Sequence, residues 1–221
     1  MYYQQPGYRH LHADRRKHKI RVFGEGKVTA EPDQAKVTLG AVTEDISLEA
    51  AQRENAEIIS AIKSALNTAG IPDDGIQTIN YSIFPQYDYV DGKQEFRGYR
   101  VEHMLQITVK DIDSVGMIVD TAVKNGANQV SGIQFSVEDT GAYQQHALSL
   151  AVADAYEKAE TIAKTLGVTL NPTPLKVSET AVGEGGPIPY QTTAFVKAAA
   201  TTPIQPGTLE IQSQVTAEFE Y

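Results

Sequence analysis

Apolar residues alternate with polar ones near both ends of the chain and recur every three or four residues between, so most elements can be read from period alone. Ile20 and Val22 open a first strand, Gly24 and Gly26 allow a bulge or a close approach, and Pro32-Asp33 turns the chain. In the second strand Ala35, Val37, Leu39 and Ala41 share one face, and the two strands are expected to pair as a hairpin. Ser47 is placed to cap a helix with Leu48, Ala51, Ile58, Ile62, Leu66 and Ala69 inward; Gly70 ends it and Pro72 lies beyond. Two long strands follow. Ile79, Tyr81 and Ile83 share a face of the first, Tyr99, Val101, Leu105, Ile107 and Val109 a face of the second, and Asp91-Gly92 marks the hairpin end. A shorter helix from Ser114 to Lys124 turns Val115, Ile118, Val119 and Ala122 inward and closes at Asn125-Gly126.

The stretch from Asn125 to Gly167 organises what comes after. Ile133, Phe135 and Val137 alternate as a strand, and Asp139 or Thr140 can cap a helix of about six turns. Its stripe is Leu148, Val152, Ala155, Ala159, Ile162 and Leu166, which leaves Asp154, Glu157, Lys158, Glu160 and Lys164 to water. Leu175 and Val177 start a strand that fades near Ala181, and residues 182–206 read as a long loop. Leu209, Ile211, Val215, Ala217 and Phe219 form one face of a terminal strand able to pair at a sheet edge. The order ββαββαβαββ with hairpin connections predicts an α+β fold, antiparallel sheets with helices packed on one face. Residues 1–18 show no period and read as a mobile basic arm; residues 19–221 are one α+β domain or two sub-domains.

Composition narrows the function classes. The net charge of −9 divides into +5 within residues 1–21 and −14 over the rest. An acidic body lacks the clustered positive charge that phosphate backbones require, so nucleic acid is not an expected partner. There is no cysteine, hence no disulfide, thiolate nucleophile or Cys-type zinc site. No window approaches the ~18 apolar residues of a membrane span, and no apolar run follows the basic residues, so the chain is expected to be soluble and cytoplasmic.

Candidate chemistry is sparse. Gly24-Glu25-Gly26-Lys27 lacks the remaining glycine, the following Ser or Thr, and the helix of a phosphate loop. His10 and His12 sit on the arm with no further ligands, and Asp73-Asp74 and Asp111-x-Asp113 lie where turns and caps use Asp. His103 shares the face of Val101 and Leu105 without a visible carboxylate partner, and His146 is expected to be exposed. Asn80-Tyr81-Ser82 matches a glycosylation sequon inside a strand. No catalytic, cofactor or metal residues are assigned. The rival reading is an enzyme or small-ligand binder with a pocket between sheet and helices, using His103 or the tyrosines. Tyr87 and Tyr89 lie near the tip of the long hairpin, and Tyr190, Phe195 and Val196 lie in the long loop with no periodic element to bury them; these five are the expected contact surface.

Gly24-x-Gly26, Pro32-Asp33, Gly98-Tyr99-Arg100, Gly126-Ala127-Asn128, Phe135-Ser136-Val137-x-Asp139, Ala151-Val152-Ala153-Asp154-Ala155 and Pro203-Ile204-x-Pro206-Gly207 follow one another as in the SIMPL domain family, which the chain resembles from about residue 20 to its end. The resemblance implies an α+β domain, homo-oligomers, a stress-response setting and no assigned catalytic residue. His103 stands where that family often has Asn. The resulting expectation is a non-enzymatic, self-assembling scaffold or binding module with protein partners.

Overall fold

The computed structural model describes residues 18–180, the backbone of residues 188–190, and residues 202–221. Among these, the order is β1 (Lys19–Ala30), β2 (Gln34–Asp45), α1 (Leu48–Thr68), β3 (Ile76–Val90), β4 (Lys93–Val109), α2 (Val115–Lys124), β5 (Gln129–Ser136), α3 (Gly141–Leu166), β6 (Lys176–Thr180), β7 (Ile188–Tyr190) and β8 (Thr208–Glu220). The fold is α+β, as the pattern predicts. One sheet has the order β3-β4-β2-β5; the other has β1-β8-β6, with β7 also paired to β8.

Two strand expectations fail. β1 and β2 lie in different sheets, because β4 and β5 occupy both sides of β2. Asp33 sets this choice: its N–H donates to the Ser136 carbonyl at 3.1 Å and its carboxylate accepts from the Glu138 N–H at 2.8 Å, which holds the start of β2 against the end of β5. The terminal strand β8 is likewise no edge, since β1 and β6 flank it. The expected loop at 182–206 contains the short strand β7, antiparallel to Thr208–Glu210. Phe195 and Val196, and the side chain of Tyr190, lie outside the described residues.

Contacts divide the chain into two compact units. The larger takes described residues within 28–143 and 184–211. Its core sets Ala35, Val37, Leu39 and Ala41 of β2 and Leu105, Ile107 and Val109 of β4 against Ile59, Ile62 and Leu66 of α1 and Val115, Ile118 and Ala122 of α2. Each fully buried Leu or Ile there contributes roughly 1.5–3 kcal/mol. The Ser47 hydroxyl caps α1 by accepting from the Ala50 N–H at 3.4 Å, and Gly70, at φ +99°, follows its end. The inward row of α1 differs from expectation at one place that matters below: Asn55, a polar residue, is 1% exposed.

The smaller unit takes described residues within 1–27, 144–183 and 212–221. Ile20 and Val22 of β1 and Val215, Ala217 and Phe219 of β8 face α3. The buried row of α3 is Ala147, Ala151, Ala155, Ala159 and Ala163, whereas Val152, Ile162 and Leu166 of the expected stripe are exposed. Methyl groups win because the helix backbone comes down onto β1 exactly where that strand has no Cβ: one added at Gly24 would overlap the Ala151 carbonyl oxygen, and one at Gly26 that of Ala147. Asp154 and Lys158 are not simply solvated either. Asp154 accepts from the Glu25 N–H at 2.8 Å and from Lys158 at 2.6 Å, and Lys158 also donates to the Phe23 carbonyl at 3.1 Å. Burial acts to raise the Asp154 pKa, but the hydrogen bonds from Lys158 and Glu25 outweigh it and hold the carboxyl below its ordinary value.

Candidate functional site

The face of β3 and β4 that carries Val101, His103 and Leu105 faces α1, and a cavity of about 330 Å³ opens between them. From α1 come Gln52, Asn55, Ser60 and Lys63, spaced so that they share one side of the helix. From the sheet come Thr78, Tyr81 and His103. Thr78 and Tyr81 are three residues apart and in a regular strand would point to opposite faces. They share this one because β3 is bulged: Thr78 pairs with Leu105 and Asn80 with Met104, so Ile79 is an extra residue, and Tyr81 comes opposite His103.

The polar groups in the cavity are held in place. The Thr78 hydroxyl and His103 Nε2 are 3.0 Å apart, and the Tyr81 and His103 rings meet edge-on with centroids 5.2 Å apart. Gln52 Nε2 donates to the Tyr81 hydroxyl at 3.1 Å. Asn55 Nδ2 donates to the carbonyls of Ala41 and Val101 at 3.0 and 3.3 Å, which fixes the orientation of the amide. Its Oδ1 is buried with no hydrogen-bond partner. Desolvation, and next the positive charge of Lys63, lower the His103 pKa from its ordinary value, which favours the uncharged imidazole. His103 has no carboxylate bonded to it, and no group of three His, Cys, Asp or Glu able to hold a metal ion occurs among the described residues.

A larger cavity of about 420 Å³, lined by Gly70, Ile71, Pro72, Lys110, Asp111 and Met117, offers less chemistry. Two of its polar groups are already engaged: Asp111 Oδ1 accepts from the Asp113 N–H at 3.2 Å and Lys110 pairs with Glu138 at 3.0 Å. Asp73 accepts from Asn67 Nδ2 at 2.8 Å. Asp73 and Asp111 therefore serve the local chain turns.

The second feature is the far end of the same hairpin. β2 pairs with β4 only as far as Asp45↔Tyr99, but β3 and β4 stay paired out to Val90↔Lys93. Asp91 and Gly92, at φ +52° and +78°, close the tip. Among the described residues, 86–97 are thus a two-stranded ribbon with no third strand. A bulge at Arg97 brings Phe96 opposite Tyr87 and onto the side of Tyr99. The rings of Tyr87, Phe96 and Tyr99 follow one another edge-on, with centroids 5.7 and 5.2 Å apart. This row continues the core-facing side of the sheet past the start of α1, and it is uncovered: Tyr87 is 46%, Phe96 47% and Tyr89 77% exposed. Arg97 anchors the ribbon base through Glu44 at 2.5 Å and Asp88 at 3.8 Å. Of the expected contact residues, Tyr87 and Tyr89 therefore sit together here.

The two elements define an α+β protein with a polar cavity under its first helix and an aromatic ribbon beyond it. The chain belongs to the SIMPL family, described as a protein of unknown function (DUF541), whose pattern matches residues 20–219. It is similar to the 26 kDa periplasmic immunogenic proteins of Brucella melitensis and Brucella abortus, each 34% identical over 157 residues that cover 69% of this chain and 63% of the relative. The uncharacterized protein YggE of Escherichia coli strain K12 is 27% identical over 149 residues, 67% of this chain and 61% of that protein. The aligned part thus spans less than two thirds of these relatives. The names of the Brucella proteins point to the periplasm and overturn the cytoplasmic expectation, which rested on the lack of an apolar run after the basic residues. Among the described residues, no helix is long and apolar enough to cross a membrane.

Proposed function

We propose that the protein is a non-enzymatic, self-assembling binding module, and that the edge of β3 and the aromatic ribbon beyond it contact a second copy of the chain. The observation that carries this reading is the ribbon itself: an isolated two-stranded hairpin is marginal in water, and this one extends an uncovered row of rings. Four rings, Phe84, Tyr87, Tyr89 and Phe96, are about half exposed or more, which offers on the order of 400 Å² per copy. That is roughly half of one side of a standard interface, so backbone pairing along the edge is needed to complete it.

Charge selects the partner. β3 is the edge strand of its sheet, and from Ile76 to Val90 it holds a single charged residue, Asp88. Two copies can pair antiparallel along this strand without bringing like charges together, whereas other faces of a body at −14 repel one another. We place the assembly in the periplasm, after the names of the Brucella relatives, and the family resemblance suggests a stress response as its setting.

Light scattering of the full chain at micromolar concentration tests the reading. Phe84→Lys combined with Tyr89→Lys changes only exposed side chains, so it should leave the melting temperature nearly unchanged and shift the size distribution to smaller species. A wild-type chain that is strictly monomeric across salt and pH, or a variant that assembles as the wild type does, refutes it.

A further inference from the structure

We infer that the free edge of β3 beside α1 binds an extended peptide, added as a strand antiparallel to β3 with its C-terminal carboxylate toward Lys63. The backbone groups that β3 has left over can be traced across the sheet. On β2, the N–H and C=O of Val42 are taken by the side chain of Asn128, which leads into β5, and the Gly40 carbonyl accepts from the Asn128 N–H. Even-numbered residues of β2 here thus turn their backbone groups to β5, and odd-numbered ones turn theirs to β4. Val101 and His103 of β4, opposite Thr43 and Ala41, therefore point to β2, while Glu102 points to β3 and meets Ser82. Tyr81 and Ile83 must then turn their N–H and C=O outward. Pro85 agrees, because it falls on the outward series, where a missing N–H takes no bond from β4. Among the described residues, β3 has no strand on that side and nothing bonds these groups.

The α1 side of this edge forms a ledge. Tyr81 and Ile83 lie opposite His103 and Val101 and carry their side chains on the α1 side. Residues of an added strand hydrogen-bonded to them place their own side chains on that side, about 5 Å away. The cavity of about 330 Å³ receives them there, with Ala56, Ile59 and the half-exposed Tyr81 ring as apolar wall. Gln52 and Lys63 mark the two ends of the cavity on α1. They stand eleven positions apart on that helix, or about 16 Å, the length of roughly five extended residues. Gln52 bonds Tyr81, and α1 leads from there through residues 69–75 into the start of β3, so Lys63 stands toward that start. A peptide antiparallel to β3 ends at the same place. No carboxylate lines the cavity, and Lys63 forms no ion pair among the described residues. Charge complementarity therefore selects the acid end of a chain.

The same edge serves the second copy in the self-assembly reading, so binding is measured on the full-length wild type and on the chain with Phe84→Lys and Tyr89→Lys. The probe is the peptide Val-Thr-Val-Thr-Leu with a free carboxylate and an N-terminal fluorescent label, followed by anisotropy. Saturable binding with a Kd below about 500 µM is expected, with hydrogen exchange in the double variant slowed at the Tyr81 and Ile83 amides and not at Ser82, which already bonds β4. Methylating the amide of the central valine, which faces β3, should weaken binding at least about tenfold, whereas methylating a threonine amide, which faces water, should not. Converting the carboxylate to an amide should weaken binding at least about fivefold in the wild type and less than about twofold in Lys63→Met, at an exposed position. Binding by the double variant alone supports the peptide site, with the wild-type edge taken by a second copy. Absence of saturable binding to either chain up to about 1 mM overturns it. Equal loss from valine and threonine methylation, or equal binding of acid and amide by the wild type, overturns it as well. A wild type that is strictly monomeric and binds the peptide refutes the self-assembly reading alone.

Discussion

Replacing Gly24 with alanine adds one methyl group, and the contact between β1 and α3 gives it nowhere to go. The new Cβ would overlap the Ala151 carbonyl oxygen and lie 2.8 Å from both the nitrogen and the Cβ of Ala155. Two of these three atoms are backbone, so no rotamer change relieves the clash, and α3 would have to retreat by on the order of 1 Å along its alanine row. Overpacking of this kind costs about 1–3 kcal/mol, and the rigid neighbours put this case near the top of the range. Alanine also restricts the unfolded chain and returns about 0.4–1 kcal/mol. The net is a loss of about 2 kcal/mol. At roughly 2–4 °C per kcal/mol for a chain of this size, the melting temperature should fall by about 4–8 °C. Calorimetry reads the shift, and hydrogen exchange should speed selectively at the amides of Ala151 to Ala155. Gly132→Ala in β5 is the control, because a Cβ there meets nothing within 4 Å; it should be neutral or slightly stabilising. A Gly24→Ala protein that melts at or above the wild-type temperature would refute the packing argument.

Two further outcomes follow from named contacts. The Asn128 side chain acts as a strand partner for Val42, accepting from its N–H and donating to its carbonyl, both at 2.8 Å, so Asn128→Asp sets a carboxylate against a carbonyl and should cost about 1–2 kcal/mol in denaturant melts. The Asp154 pKa is depressed, so its contribution is present above the ordinary carboxyl value of 3.8 and is lost as pH falls through the lower folded value; the gap in melting temperature between wild type and Asp154→Asn should close below about pH 4 and stay open at pH 7.

The long elements could be read from the chain because each repeats a period that its own residues announce. Ser47 with Gly70 bounds α1, Asp91-Gly92 turns the hairpin, and the alternation from Leu209 to Phe219 survives in β8. What failed was long-range. Nothing local tells Ala35 to Ala41 that both neighbours will be β4 and β5, so the hairpin with β1 looked natural. The buried face of α3 keeps Ala155 and Ala159 of the expected stripe but follows shape rather than size elsewhere: Val152 and Ile162 are more apolar than alanine, but only alanine fits against Gly24 and Gly26. The cavity was half visible. His103 could be placed on the face of Leu105, and Asn55 lies four residues from Ala51 on the inward row, which was a usable signal that a polar group enters the core. The bulge that gathers Thr78 and Tyr81 around His103 leaves no mark in the residue pattern.

That bulge makes the residue count of β3 adjustable at one point. Removing Ile79 would take out the extra residue and let β3 zip in regular register, with Asn80 still opposite Met104 and Tyr81 still opposite His103. Thr78 and Tyr81 would then stand two residues apart and share a face by simple alternation. Loss of a single codon at this point would thus spare the cavity wall, and substitutions at Ile79, which is 49% exposed, would pass almost without effect.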